Sequence, residues 1–443
     1  MKRVYFVLFV LFAAGCSTNK AVDVKESIVQ KNEIAVEAEE IVYISQNSED
    51  YTNAIVKNDF NATKEEFESL YFKAWNMNDA NSTRDKVQWA FNVYKAGNSY
   101  GENLQPLKQD FFEEMKINSN FAQYSTLNKK AITLKDVDLR VFPTNRPLLL
   151  NPNKAGEGFP FDYLQNSAIA ANKPIFATHY SKDKQWVHVF GSYAYGWIQA
   201  DELVFLQNAQ TELWRNARQL FIIKDGTPIY STNGDFLFKS TIGTIFALID
   251  EDDADFTVLA VAAYKNHEPL FVKAKIPKDI ASEGALEFNP ENVSNVINEL
   301  LKSNYGWGGM YGQRDCSSTI KDMFAPFGVW LPRNSYQQSN IGTVVSLEEL
   351  SDEEKIVAIK ANAIPFKTLL YKKGHIVLYA GAVNNEIIIF QNVWGVKTKK
   401  DGVEGRFVIG KTIFSKLNLG ENLSDYDENA SILKNLKSMN TIN

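Results

Sequence analysis

Tyr305-Gly-Trp-Gly-Gly-Met-Tyr-Gly-Gln-Arg-Asp-Cys-Ser-Ser-Thr-Ile-Lys-Asp-Met-Phe-Ala-Pro-Phe327 changes character half-way along. Its first half is glycine and aromatic, the composition of a loop. Its second half places Ile320, Met323, Phe324 and Phe327 at helical spacing, so one face is apolar and can be buried. Pro326 and Gly328 are stop signals for that helix. Cys316 therefore falls where a glycine-rich loop meets a helix N-terminus. Free N–H groups and the positive end of the helix dipole favour a thiolate there.

The chain has two cysteines, and Cys16 lies in an N-terminal leader, so modification of Cys16 leaves Cys316 without a disulfide partner. A buried, inert thiol is the blander reading, but Arg314, Asp315, Ser317 and Ser318 are poor neighbours for an apolar core. A nucleophilic thiol needs a base, and the histidines are His179, His188, His267 and His375. The first three sit in stretches that read as small β domains. His375 follows Cys316 in Lys-Lys-Gly-His-Ile-Val-Leu-Tyr-Ala-Gly, a strand entered from a glycine. Asn384-Asn385 is a turn signal, and Glu386-Ile-Ile-Ile-Phe-Gln-Asn-Val is the returning strand.

Cysteine on a helix start with histidine on an adjacent sheet is the papain-like arrangement. There, imidazole takes the thiol proton and later returns one to the leaving amine. A third polar group orients the ring, and Gln391 and Asn392 are the candidates. A two-residue turn puts Asn392 on the histidine's face; an odd-numbered turn puts Gln391 there.

These residues resemble the NlpC-type bacterial cell-wall cysteine peptidases, in the branch with SH3-like domains ahead of the peptidase. The matching segments are 305–309, 314–317, 327–335, 374–381 and 392–395. The resemblance implies Cys316 as nucleophile, His375 as base and Gln391 as third member, where the branch usually has histidine. It also implies that Asp315 and Ser317 flank the substrate and that Tyr305 lines the oxyanion side of the cleft. The blocks 140–147, 159–167 and Gly196-Trp197 are similar to the branch's first SH3-like domain, which implies that Asp162 and Tyr163 reach substrate. Phe159, Phe161 and Trp197 are expected to fill that barrel.

The leader has Lys2 and Arg3, then an apolar run to Ala14, then Gly-Cys-Ser. This is a secretory signal too short to span a bilayer. Ala13-Ala-Gly-Cys16 resembles a bacterial lipoprotein signal, implying acylated Cys16 and a membrane anchor. Secretion without a lipid is the alternative. Ser17 beside Cys16 points to the outer membrane, facing the periplasm.

The domain expectation is a signal at 1–16, an acidic flexible tether at 17–59 and a helical domain at 60–125. SH3-like domains follow at 130–206 and 214–280, then the peptidase at 290–425. Thr63-Lys-Glu-Glu66 is a capping box. Asp225-Gly226 and Asn233-Gly234 are hairpin signals, and 346–358 reads as a charged helical insertion. Glu251, Asp252, Asp253 and Asp255 lack the ligand spacing of a calcium loop, and no metal or cofactor is expected. A net charge of −6 without a clustered basic face argues against nucleic acid as a partner.

The expected protein is thus a multidomain α+β chain: a helical N-terminal segment, two small SH3-like β-barrels and a papain-like cysteine peptidase domain. By resemblance its bond is the γ-D-glutamyl–diamino acid (meso-diaminopimelate) link of peptidoglycan stem peptides. The branch's preference for a free N-terminal L-alanine implies action on freed stem peptides. The competing expectation is a non-catalytic peptidoglycan-binding lipoprotein with a degenerate peptidase fold.

Overall fold

The structure is a computed structural model that describes residues 44–55, 60–80, 82–265 and 268–443. Cys16, His267 and the tether as far as residue 43 lie outside the described residues.

Three sheets carry the chain. The first consists of β1 (Lys129–Thr133), β2 (Val137–Arg140), β3 (Gln165–Ile169), β4 (Pro174–Tyr180), β5 (Trp186–Phe190), β6 (Tyr195–Gln199) and β7 (Leu203–Phe205), in the order β3-β2-β6-β5-β4-β1-β7. The second consists of β8 (Arg218–Ile222), β9 (Pro228–Ser231), β10 (Phe236–Lys239), β11 (Ile245–Glu251), β12 (Asp255–Lys265), β13 (Glu268–Pro277) and β14 (Ala281–Glu283), in the order β10-β9-β13-β12-β11-β8-β14. Both are antiparallel SH3-like domains. In the first, Trp197 is buried among Phe121, His179 and His188. The Thr178 hydroxyl meets Nδ1 of both histidines at 2.9 Å. Burial lowers the pKa of His179 to about 4 and that of His188 well below its ordinary value, so both rings are neutral core residues.

The third sheet consists of β15 (Thr343–Ser346), β16 (Thr368–Lys372), β17 (His375–Val383), β18 (Glu386–Lys400), β19 (Val403–Lys416) and β20 (Leu436–Thr441). Its order is β15-β20-β16-β17-β18-β19. Period-two alternation sends Ile376, Leu378 and Phe390 to one face, against Ile320, Phe324, Val293 and Ile297 of helices Cys316–Phe324 and Pro290–Leu300. Val377, Tyr379 and Ile389 face the other way, toward Ile359 of helix Asp352–Asn362. Burying each such side chain stabilises the fold by about 1.5–3 kcal/mol, so the Cys316 helix is held rigidly on the sheet.

Several expectations change. The stretch 44–55, read as tether, is docked on the peptidase domain. Tyr51 and Ile55 are buried, and the Tyr51 ring lies 4.4 Å from Phe414. The Gln46 amide brackets the Phe414 backbone, accepting from its N–H and donating to its carbonyl, both at 2.9 Å. A polar composition hid this because the apolar partner lies more than 360 residues away in sequence.

Asn233-Gly234 does join the paired strands β9 (Pro228–Ser231) and β10 (Phe236–Lys239). Asp225-Gly226 does not make a hairpin, since β8 pairs with β11 (Ile245–Glu251) and β14. The insertion at 346–358 starts on the last residue of edge strand β15, and its helix, Asp352–Asn362, begins only at the Ser351 N-cap, which forms a capping box with Glu354. Phe159 is 69% exposed and does not fill the barrel, while Phe161 packs outward on Trp307 and Trp394.

Because Tyr51 fastens the N-terminal stretch to β19, Tyr51→Ala is expected to cost about 3 kcal/mol, the usual penalty for emptying a buried aromatic site. Urea unfolding of the wild type and the variant checks this.

Candidate active site

The loop before Cys316 is shaped by close approach to the first SH3-like domain. A Cβ on Gly308 would lie 2.6 Å from the Gln165 carbonyl oxygen, and one on Gly309 would lie 2.8 Å from the Ala168 Cβ. Both glycines also have positive φ, at 61° and 88°. The Trp307 indole N–H donates to the Asp162 carbonyl at 2.9 Å. The Gly-Trp-Gly-Gly run is therefore a domain seam as well as a loop.

Asp315 ends this loop as N-cap of the Cys316 helix, accepting from Ser318 N–H at 2.9 Å in a reciprocal box with the Ser318 hydroxyl. Its other oxygen accepts from Gly308 N–H at 3.1 Å. The Arg333 guanidinium then grips the carboxylate from both nitrogens, at 2.8 and 2.6 Å. Arg333 also donates to the Ser317 hydroxyl at 2.8 Å and to Ser167 of the first β domain at 3.1 Å. Arg314 reaches the other way, to Asp322 at 2.7 Å and to Asp225 of the second β domain at 3.1 Å. The Cys316 helix is thus pinned at its start to both neighbours.

Asp315 and Ser317, expected beside the substrate, spend their polar atoms on this buried lattice. Arg333, within the matching segment 327–335, is a site residue missing from the sequence-based expectations. The signal was an arginine placed after an apolar Val-Trp-Leu-Pro run, with Asp315 needing a partner.

His375 opens β17 and presents Nε2 to the Gln391 Oε1 at 2.7 Å. The Gln391 amide nitrogen donates to the Ser415 hydroxyl at 2.8 Å, which donates to the Lys416 carbonyl at 3.0 Å. This chain of donors fixes the amide so that its oxygen faces the ring. The proton then sits on Nε2, and Nδ1 is a free base. Gln391 gains this place through a bulge. The turn is the tight two-residue one, Val383 facing Glu386, but the register slips between Tyr379 and Gly381. That extra residue moves Gln391, not Asn392, onto the histidine's side, and Asn392 instead donates to the Asn304 carbonyl at 3.3 Å.

Cys316 is 8% exposed. Burial, with Asp315 next, pushes its thiol up to about 12, although N–H groups of Ile376 and Ser317 bond to the sulfur and pull the other way. Burial also lowers the pKa of His375 to about 4, against the opposing Gln391 bond. The expected thiolate is therefore not the resting form, because desolvation outweighs the helix dipole. The arrangement is a neutral thiol held on the N–H of Ile376, the residue that follows the neutral His375 imidazole. A neutral thiol and a neutral imidazole are suited to general base chemistry, in which the proton leaves as sulfur attacks.

Tyr305 stands beside Cys316 and Asp315, half-buried, its phenol pushed above its ordinary range by burial. With Trp394 at 5.8 Å, and Phe161 against both Trp394 and Trp307, it forms an aromatic rim. Tyr163 joins that rim against Trp307 at 5.4 Å. Asp162 does not open onto it. The residue is 3% exposed, its carboxylate paired with Arg140 at 2.7 Å and accepting from Leu148 and Leu164 N–H, so its expected reach to substrate is corrected to a structural role. Among the described residues no group of three or more His, Cys, Asp or Glu is arranged to hold a metal ion.

Four family descriptions match the chain: an NLPC_P60 stabilising domain at 5–124, an SH3 domain of SH3b1 type at 147–199, an SH3 domain of SH3b2 type at 207–253, and the NlpC/P60 family at 302–399. The chain belongs to the NlpC/P60 family. Among solved structures, it is similar to an NlpC/P60 endopeptidase from Photobacterium damselae subsp. piscicida. Identity is 23% over 90% of this chain and 98% of that one, with a TM-score of 0.77. An NlpC/P60 family protein from Bacillus cereus aligns at 14% identity over 71% of this chain and 99% of that one, with a TM-score of 0.48. No curated protein matches. Membership of the NlpC/P60 family together with paired SH3b domains supports a peptidoglycan hydrolase and a peptidase.

Two outcomes are expected. The His375 imidazole titrates near pH 4 instead of near 6.5, because burial disfavours the cation; NMR of the ring protons against pH checks it. Arg333→Met strands the Asp315 carboxylate inside the protein and costs about 3 kcal/mol or more, read by chemical denaturation.

Proposed function

We propose that the chain is a peptidoglycan endopeptidase that hydrolyses the γ-D-glutamyl–diamino acid bond of stem peptides. The single observation that carries the reading is the His375–Gln391–Ser415 hydrogen-bond chain beside Cys316, which leaves Nδ1 as the unprotonated nitrogen. Cys316 Sγ attacks the scissile carbonyl while His375 Nδ1 takes its proton. A loop N–H and Tyr305 stabilise the oxyanion. The protonated His375, its Nε2–H held by Gln391, then gives its proton to the departing amine. Water, deprotonated by the same ring, hydrolyses the thioester.

The substrate class follows from the family and the two SH3b domains, whose partner is peptidoglycan. Cys16 is proposed as the lipid attachment site, anchoring the enzyme to the outer membrane with its catalytic domain in the periplasm. The motif Ala13-Ala-Gly-Cys16 supports this. Several acyl chains on one cysteine would hold it firmly.

Purified wild type is expected to release γ-D-glutamyl and diaminopimelate-bearing fragments from muropeptides in mass spectra, and Cys316→Ala to release none. Absence of cleavage by both would favour a wall-binding scaffold.

A further inference from the structure

Arg406 lies on β19, opposite Lys397 of β18, where the hairpin passes the rim of the site. Its guanidinium occupies room left by a glycine of the first SH3-like domain: a Cβ on Gly156 would fall 1.9 Å from Nη2. The guanidinium carbon stands 5.8 Å from the Phe161 ring. Nε is buried and has no hydrogen-bond partner among the described residues. No carboxylate is ion-paired with this side chain there. Glu404 and Asp427 are drawn to Lys397, at 2.6 and 3.6 Å, and Asp315 is held by Arg333.

A second cation lies within its electrostatic reach. Lys372 ends β16 opposite His375, and its Nζ donates to the Ala430 carbonyl at 3.2 Å. Burial and then the Arg406 charge push its ammonium below its ordinary range. Arg406 in turn acts on Tyr305, which adjoins Cys316. One cation thus stands across the strand pair from His375 and the other acts on Tyr305 beside Cys316, while the one carboxylate close to the pair, Asp315, is already held by Arg333. An isolated buried charge is costly, and the planar guanidinium fork matches a carboxylate in shape and charge.

We propose that Arg406, with Lys372, forms the subsite that holds a free carboxylate of the substrate next to the bond being cut. The proposal rests on the peptidase reading and names what that site recognises. A stem peptide carries two carboxylates close to the bond, the α-carboxylate of the γ-linked D-glutamyl unit and those of the diamino acid.

Kinetics of wild type, Arg406→Gln and Arg406→Lys on three peptides test it: one with all carboxylates free, one amidated at the D-glutamyl α-carboxylate, and one amidated on the diamino acid. On the free peptide, Arg406→Gln is expected to lower kcat/KM by about tenfold or more, mainly through KM, with partial recovery in Arg406→Lys. On the peptide lacking the recognised carboxylate, wild type and Arg406→Gln are expected to be nearly equal, and which amidation abolishes the difference identifies the group. An equal loss on all three peptides would overturn the proposal.

A second readout does not depend on hydrolysis. The ratio of Cys316 alkylation rates by iodoacetate and iodoacetamide reports local positive charge. It is expected to fall in Arg406→Gln with little change in Tm. An unchanged ratio overturns the subsite even if wild type cleaves, whereas a lowered ratio with no cleavage by wild type overturns the peptidase reading alone.

Discussion

A buried carboxylate gripped from both sides sets the geometry of this protein. Asp315 caps the helix that carries Cys316, receives the Gly308 N–H from the loop before it, and is clasped by Arg333, which also holds Ser167 of the neighbouring β domain. Both charges lie away from water, so neither can be lost without stranding the other. What the pair supplies is position: the Cys316 helix, the loop and the wall of the first SH3-like domain are fixed to one another through a single carboxylate.

The seam built on that pair explains residues that look decorative in one dimension. Gly308 and Gly309 are small because the barrel backbone comes within van der Waals contact. Trp307 is aromatic because its indole must span from the loop to the Asp162 carbonyl while its ring packs edge-on against Phe161 and at a tilt against Tyr163. Asp162 itself is spent on Arg140 inside the barrel. The SH3-like domain contributes a wall to the site mostly through backbone and rings, and its acidic residue maintains the loop that presents them.

Desolvation governs the chemistry of the site more than the helix dipole does. The same burial that makes the Cys316 thiol a weak acid makes the His375 imidazolium a strong one, so burial favours the proton on sulfur and off the ring. Gln391 suits this neutral pair: a carbonyl orients the ring and fixes its tautomer without adding a charge. A carboxylate at that position would favour the imidazolium, and histidine would leave its own tautomer to be fixed.

The sequence by itself determined the local facts: the helix that starts at Cys316, the glycine loop ahead of it, the strand entered at His375, the capping box at Thr63 and the change to period-two patterning beyond it. These are legible because apolar spacing, caps and turn residues act over a few positions. Only the tertiary structure decided that Gln391 and not Asn392 meets His375, because a one-residue bulge on β17 shifts the register and no turn residue announces it. It alone showed that residues 44–55 dock on Phe414, that Arg333 answers Asp315, and that burial overrides the dipole at the thiol. Each depends on groups brought together from far apart in the chain, and desolvation and pairing are properties of that assembly.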